Sequence, residues 1–181
     1  MYKASMDNTT KAMTALVILM LACVSIMPVR ELLASDVSSG DVIRNMLALV
    51  FLAALPVGVW MYAPSWYEID AGQLIIHRNV GQVSIALSEI AEVKQQDGVI
   101  GRSIRTFGVG GVFGFYGKFY TDGIGSATFY ATQRKNWVWV KLKNRKNILL
   151  TPDMPGEFVS ILRERLGVPS LRDWDTRGAG G

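Results

Sequence analysis

Two long stretches without a single charge constrain this chain more than anything else in it. From Ala12 to Val29 it reads AMTALVILMLACVSIMPV, and from Met46 to Ala63 it reads MLALVFLAALPVGVWMYA, 18 residues each. A helix needs about 20 mostly apolar residues to cross the hydrocarbon of a bilayer, within a range of roughly 17–25. Both runs reach that range with help from their flanks, and neither has the polar stripe of a soluble surface helix. Trp60, Tyr62, Trp66 and Tyr67 crowd the exit of the second run, as interfacial aromatics do. The expectation is a helical hairpin with spans over about 12–29 and 46–63. Pro28 and Pro56 are read as kinks, and with no ionisable residue in either run there is no proton relay or ion site. Cys23, behind Met20-Leu21-Ala22, departs from a lipoprotein cleavage box at two positions and is read as inert within the first span.

Charge assigns the hairpin an orientation. The connection from Arg30 to Asn45 carries two basic and three acidic residues, whereas the chain after the second span holds 15 Lys/Arg against 11 Asp/Glu. The positive-inside rule then expects a multi-pass protein of the cytoplasmic membrane with both termini in the cytoplasm. One Cys excludes an intramolecular disulfide framework and one His a multi-His metal site. The net charge of +4 permits anionic partners without requiring them.

From Ser65 the pattern becomes short alternating runs broken by Gly, Asn and Asp. Trp66–Asp70 and Gln73–Asn79 read as a hairpin around Ala71-Gly72, and Val83, Ile85 and Leu87 mark a half-buried strand. Val99 to Phe107 continues in the same style. Val138, Val140 and Leu142 fall on one face of a strand and Trp137, Trp139, Lys141 and Lys143 on the other, with a last strand at Ile148–Thr151. Pro152 to Leu166 reads as a helix, with Asp153 as its N-cap, Pro155 in its first turn and a stripe of Phe158, Ile161, Leu162 and Leu166. The chain thus divides into a hairpin (1–64), a β-rich domain (65–167) and a flexible polar tail (168–181).

Within the second part, the glycine-aromatic run GVFGFYGKFYTDGIG (Gly111–Gly125) is followed by ATFYATQRKNWVWVKL (Ala127–Leu142) and ILLTPDMPGEFVSILRERL (Ile148–Leu166). In these pieces the chain resembles the bacterial PH-like (pleckstrin-homology-like) domain family over most of residues 66–166. The resemblance implies a mainly β fold: a barrel of about seven antiparallel strands in two nearly orthogonal sheets, capped by the C-terminal helix. It implies little about a ligand. Eukaryotic PH domains that hold phosphoinositides use a Lys/Arg-rich first hairpin, and here that hairpin offers only Asp70, Gln73, His77 and Arg78.

Candidate chemistry is sparse. Gly117-Lys118-Phe119 fails the phosphate-loop pattern, and Gly108-Val109-Gly110, with Phe113 three positions on, fails the dinucleotide fingerprint. His77 is read as an exposed strand residue without a nucleophile signature. No cofactor, metal or nucleic-acid partner is expected. The residues singled out as a headgroup or partner surface are Arg134, Lys135, Trp137, Trp139, Lys141, Lys143, Arg145 and Lys146, because basic residues beside an anionic leaflet gain about 1 kcal/mol each; the other reading of them is an ordinary solvated face with the Trp side chains packed. The aromatic segment 107–120 is read chiefly as core, with contact to the bilayer as the alternative. The sequence therefore predicts a non-enzymatic, membrane-anchored interaction module that recognises a protein partner or lipid headgroups. The other reading is a subunit of an oligomeric transport or channel assembly, against which the uncharged spans argue.

Overall fold

The computed structural model describes residues 1–34, 36–96 and 103–167. The two apolar runs lie inside helices α1 (Asn8–Leu32) and α2 (Ser39–Tyr62), which pack antiparallel. At 25 and 24 residues they are about 37 and 36 Å long, longer than the ~30 Å hydrocarbon core. Their apolar windows have mean hydropathy 2.4 and 2.0 and are only 6% buried within the molecule. Both are long and apolar enough to cross a membrane. Each begins on a side-chain cap: Asp7 accepts the Thr10 amide at 2.7 Å, and Ser38 accepts that of Gly40 at 3.2 Å. At the far turn, Glu31 accepts from Arg44 and from Asn45, each at 2.9 Å, which ties the end of α1 to the start of α2.

The first sheet has order β1-β2-β3-β4, built from β1 (Tyr2–Lys3), β2 (Pro64–Asp70), β3 (Gln73–Arg78) and β4 (Gln82–Ala86). The second has order β5-β9-β10-β8-β7-β6, from β5 (Ile90–Gln96), β6 (Ser103–Gly110), β7 (Phe115–Thr121), β8 (Gly125–Ala131), β9 (Trp137–Leu142) and β10 (Asn147–Leu150). Helix α3 (Pro155–Arg165) follows.

The expectation of about seven antiparallel strands in a barrel is corrected on three counts. There are ten strands among the described residues, the two sheets do not close into one barrel, and the second sheet is mixed. β10 pairs antiparallel with β9 and parallel with β8, because the tight turn after β9 folds β10 back into the space between those two strands. The first sheet gains β1 from residues ahead of α1: Tyr2 faces Tyr67 and Lys3 faces Trp66. The sequence reading grouped those residues with the hairpin, since two residues are too few to show a period. The polar-tail assignment of 168–181 falls outside the described residues.

The main core lies between the two sheets and α3. Tyr67, Leu74 and Ile76 from the first sheet, Val138, Val140 and Leu150 from the second, and Phe158 and Leu162 from α3 are fully buried, each worth roughly 1.5–3 kcal/mol. Tyr67 also links strands by hydrogen bonding: its hydroxyl donates to the Tyr130 carbonyl at 2.6 Å and accepts the Thr151 amide at 3.2 Å. Arg163 fastens α3 with two hydrogen bonds to the Val93 carbonyl, at 3.1 and 3.0 Å. Asp153 does not cap α3. Its carboxylate turns to the N-terminal segment, accepting from the Ser5 amide at 3.1 Å and the Ser5 hydroxyl at 2.6 Å, and Met154 takes the cap position without a side-chain bond.

Candidate functional site

The helices and the β domain are joined by more than chain continuity. A helix ends with four carbonyls that lack intrahelical partners, and the β domain supplies donors to those of α2. The Tyr116 hydroxyl donates to the Val59 carbonyl, Asn79 Nδ2 to that of Trp60 at 2.9 Å, and the Val80 amide to that of Met61 at 3.0 Å. At the start of α1 the second carboxylate oxygen of Asp7 accepts the Arg134 amide at 2.8 Å. About two turns further, the buried Thr14 hydroxyl accepts the Phe113 amide at 2.8 Å while donating to the Thr10 carbonyl at 2.8 Å. Burial of Asp7 alone would raise its carboxyl pKa. The hydrogen bonds from Thr10 and the Arg134 amide, with the Arg134 charge, outweigh that and hold it below the ordinary value.

Between α2 and the face of β6, β7 and β8 this junction leaves a groove of about 770 Å³, within the range of small-molecule sites. One wall is a single helical stripe, Phe51, Leu55, Gly58 and Tyr62, and the other is formed by Phe107, Val109, Tyr116 and Tyr130. Along this wall β6 and β7 approach each other closely where Gly108 and Gly117 face each other. A Cβ on Gly108 would meet the Tyr116 carbonyl oxygen at 2.3 Å, and its φ of +121° is one that other residues rarely adopt. Arg78 enters from the end of β3 with its guanidinium carbon 5.4 Å from the Tyr62 ring centre. Its Nε is buried and has no hydrogen-bond partner among the described residues. Burial raises the Tyr116 and Tyr130 hydroxyl pKa values, with the Arg78 charge opposing the shift at Tyr130.

The residues the sequence singled out do not form one surface. Arg134 and Lys135 are exposed in the turn before β9, beside the start of α1, while Lys143, Arg145 and Lys146 are exposed in the turn after it. Six residues of strand, about 20 Å, separate the two clusters. Trp137 is a correction: it is 1% exposed, donates from Nε1 to the Arg134 carbonyl at 2.9 Å and packs on Phe129 at 5.2 Å between ring centres. The alternation along β9 is as read, but its second face carries a second core of Phe115, Phe119, Phe129, Trp137 and Leu149. Trp139 remains half-buried, with the Lys94 ammonium 4.1 Å and the Lys141 ammonium 5.9 Å from its ring centre.

The aromatic segment divides. Phe115 and Phe119 enter the second core, whereas Phe107 is 77% and neighbouring Ile104 72% exposed on edge strand β6. His77 is more covered than read: it stacks on Trp66 at 3.4 Å, with Nε2 3.1 Å from the Glu68 carboxylate. The groove escaped the sequence reading because its walls come from parts of the chain up to 79 positions apart, Phe51 to Tyr130. The one signal was Arg78, a lone cation in a hairpin close to the second apolar run.

No curated protein matches the chain, and no solved structure matches it. The family model described as "Bacterial PH domain" matches residues 65–166, the span that holds β2 to β10 and α3. The chain belongs to the bacterial PH domain family.

Proposed function

We propose that this protein is a membrane-anchored, non-enzymatic interaction module. In this reading the α1–α2 hairpin crosses the cytoplasmic membrane and the PH domain recognises a protein partner or lipid headgroups on the cytoplasmic side. The observation that carries it is the hydrogen bonding of β-domain groups to both helices: Tyr116, Asn79 and Val80 donate to the last carbonyls of α2, and the Arg134 and Phe113 amides donate to the Asp7 and Thr14 side chains at the start of α1. A domain fixed to both helices at one end of the hairpin presents a set orientation to the membrane rather than swinging on a linker. The family match supports a binding role, and the excess of Lys and Arg after the second span supports the cytoplasmic side. The exposed turn of Lys143, Arg145 and Lys146, remote from the helix ends, is where a partner is expected.

In-cell crosslinking of the full-length chain tests the reading. A partner captured by the wild type and lost on joint Lys143→Glu, Arg145→Glu and Lys146→Glu substitution supports it. Capture of nothing but the chain itself, unchanged by the substitutions, overturns it in favour of a self-assembling hairpin.

A further inference from the structure

We propose that the groove between α2 and the β6–β7–β8 face is a seat for one anionic phospholipid, its phosphate on Arg78 and an acyl chain along Phe51, Leu55 and Phe107. The inference rests on the reading that the hairpin spans a membrane.

Three observations converge on this occupant. The first is position. The wall of α2 from Phe51 to Tyr62 climbs eleven residues, about 16 Å, and most of it lies within the uncharged run that a bilayer would surround. A groove on that stripe opens at hydrocarbon depth and ends beyond the aromatic level of Trp60 and Tyr62, where headgroups lie. The second is chemistry. The lower walls are apolar and offer nothing to a water-soluble ligand, whereas the upper end holds Arg78, a cation with no carboxylate beside it among the described residues. The Arg78 side chain lines the groove without an ion-pair partner among the described residues, and a phosphate is the acceptor that Arg's fork of donors fits best. The third is exposure. Phe107, which lines the groove, is 77% exposed, and Ile104 on the same edge strand is 72% exposed. Large apolar side chains this open on an edge strand are an aggregation liability in water and are relieved when lipid covers them. An amphiphile with one apolar tail and one anionic head satisfies all three together.

The size also fits an addition rather than a rearrangement. A Cβ placed on Gly58 would meet no atom within 4 Å, so the space beside the helix is open. This makes Gly58→Leu a blocking variant that also replaces glycine by a better helix former.

The test uses the full-length protein in phosphatidylcholine vesicles containing phosphatidylglycerol with a photoreactive diazirine on one acyl chain. After illumination, crosslinked peptides are mapped by mass spectrometry. The expected result is labelling concentrated on the peptides around Phe51–Leu55 and Phe107–Val109. Yield should fall at least about fivefold with Arg78→Gln and with Gly58→Leu, be retained with Arg78→Lys, and be unchanged by Arg165→Gln at the exposed end of α3. The same diazirine on diacylglycerol, which lacks the phosphate, should label those peptides several-fold less. Labelling spread evenly over the outward faces of α1 and α2 and insensitive to Arg78→Gln would overturn the seat. So would equal labelling by diacylglycerol, which would mean an apolar cleft without headgroup selection. Extraction of the protein from vesicles by alkaline carbonate would overturn the anchoring reading itself, and retention with Arg78-insensitive labelling would overturn the seat alone.

Discussion

Truncating Trp137 to Ala separates the two roles that its position in the sequence allows. On a binding surface its loss would weaken a partner and leave the fold intact. In the structure it is 1% exposed against Phe129 and donates a hydrogen bond to the Arg134 carbonyl. A buried Trp removes roughly 150–250 Å² from water. At about 25 cal/mol per Å² that is ~4–6 kcal/mol, an upper bound because the unfolded chain already hides part of it. Measured Trp and Phe truncations in cores cost about 3–5 kcal/mol, and that is the expected loss here. The lost hydrogen bond adds little, since Arg134 is exposed and water can replace the indole. For a chain of this size each kcal/mol moves Tm by roughly 2–4 °C, so a fall of about 6–20 °C is expected. The assay is thermal unfolding of the full chain in detergent micelles followed by near-ultraviolet circular dichroism, which reads the packing of the aromatic residues. Trp139→Ala is the comparison: half-buried, with Lys94 and Lys141 near its ring, it should cost under about 2 kcal/mol. If Trp137→Ala moved Tm no more than Trp139→Ala, the second core would be wrong and Trp137 would return to the surface.

Three further perturbations test other joints of the structure. Tyr67→Phe keeps the ring but leaves the Tyr130 carbonyl and Thr151 amide without their partner, so unfolding in the same micelles should show a loss of about 2–4 kcal/mol; a change below ~0.5 kcal/mol would deny the link. Asp7→Ala removes the α1 cap and the acceptor of the Arg134 amide, for a loss of about 1 kcal/mol at neutral pH. Because the folded Asp7 pKa is lowered, its stabilisation is present above the ordinary carboxylate pKa and disappears as pH falls through the lower folded value. The gap between wild type and Asp7→Ala should therefore close in acid, and a gap that stayed constant from pH 7 to strongly acid conditions would contradict the assignment. Gly108→Ala forces a Cβ to 2.3 Å from the Tyr116 carbonyl oxygen at positive φ and should lower stability by at least about 1–3 kcal/mol. Gly156→Ala in α3, with nothing within 4 Å of its Cβ, should instead be neutral or raise it by up to ~1 kcal/mol; equal effects at the two glycines would refute the close approach of β6 and β7.

Local pattern accounts for what could be read in advance. The hairpin was legible because hydropathy over 18 residues is a property of the run itself, and both runs lie inside helices at the expected places. The turn at Ala71-Gly72, the alternation along β9 and the apolar stripe of α3 were legible for the same reason: each is a short-range period or breaker. Membership of the bacterial PH domain family was visible in the run from Gly111 to Leu166, and the matching span confirms it.

Tertiary structure decided the rest, wherever the partner lies far along the chain. Alternation places Trp137 on the face opposite Val138 but cannot say whether that face meets water or Phe129. Asp153 has the identity of a cap, yet Ser5, 148 positions away, takes its carboxylate. Tyr2 and Lys3 are too few to show a strand until β2 supplies an edge. The groove is the extreme case: helix α2 provides one apolar wall, the paired strands β6, β7 and β8 provide the other, and Arg78 is a lone cation in the sequence. Only folding sets that cation at the end of an apolar cleft, because hydropathy is summed locally whereas the pairing of charge with apolar surface depends on which distant segments the core brings together.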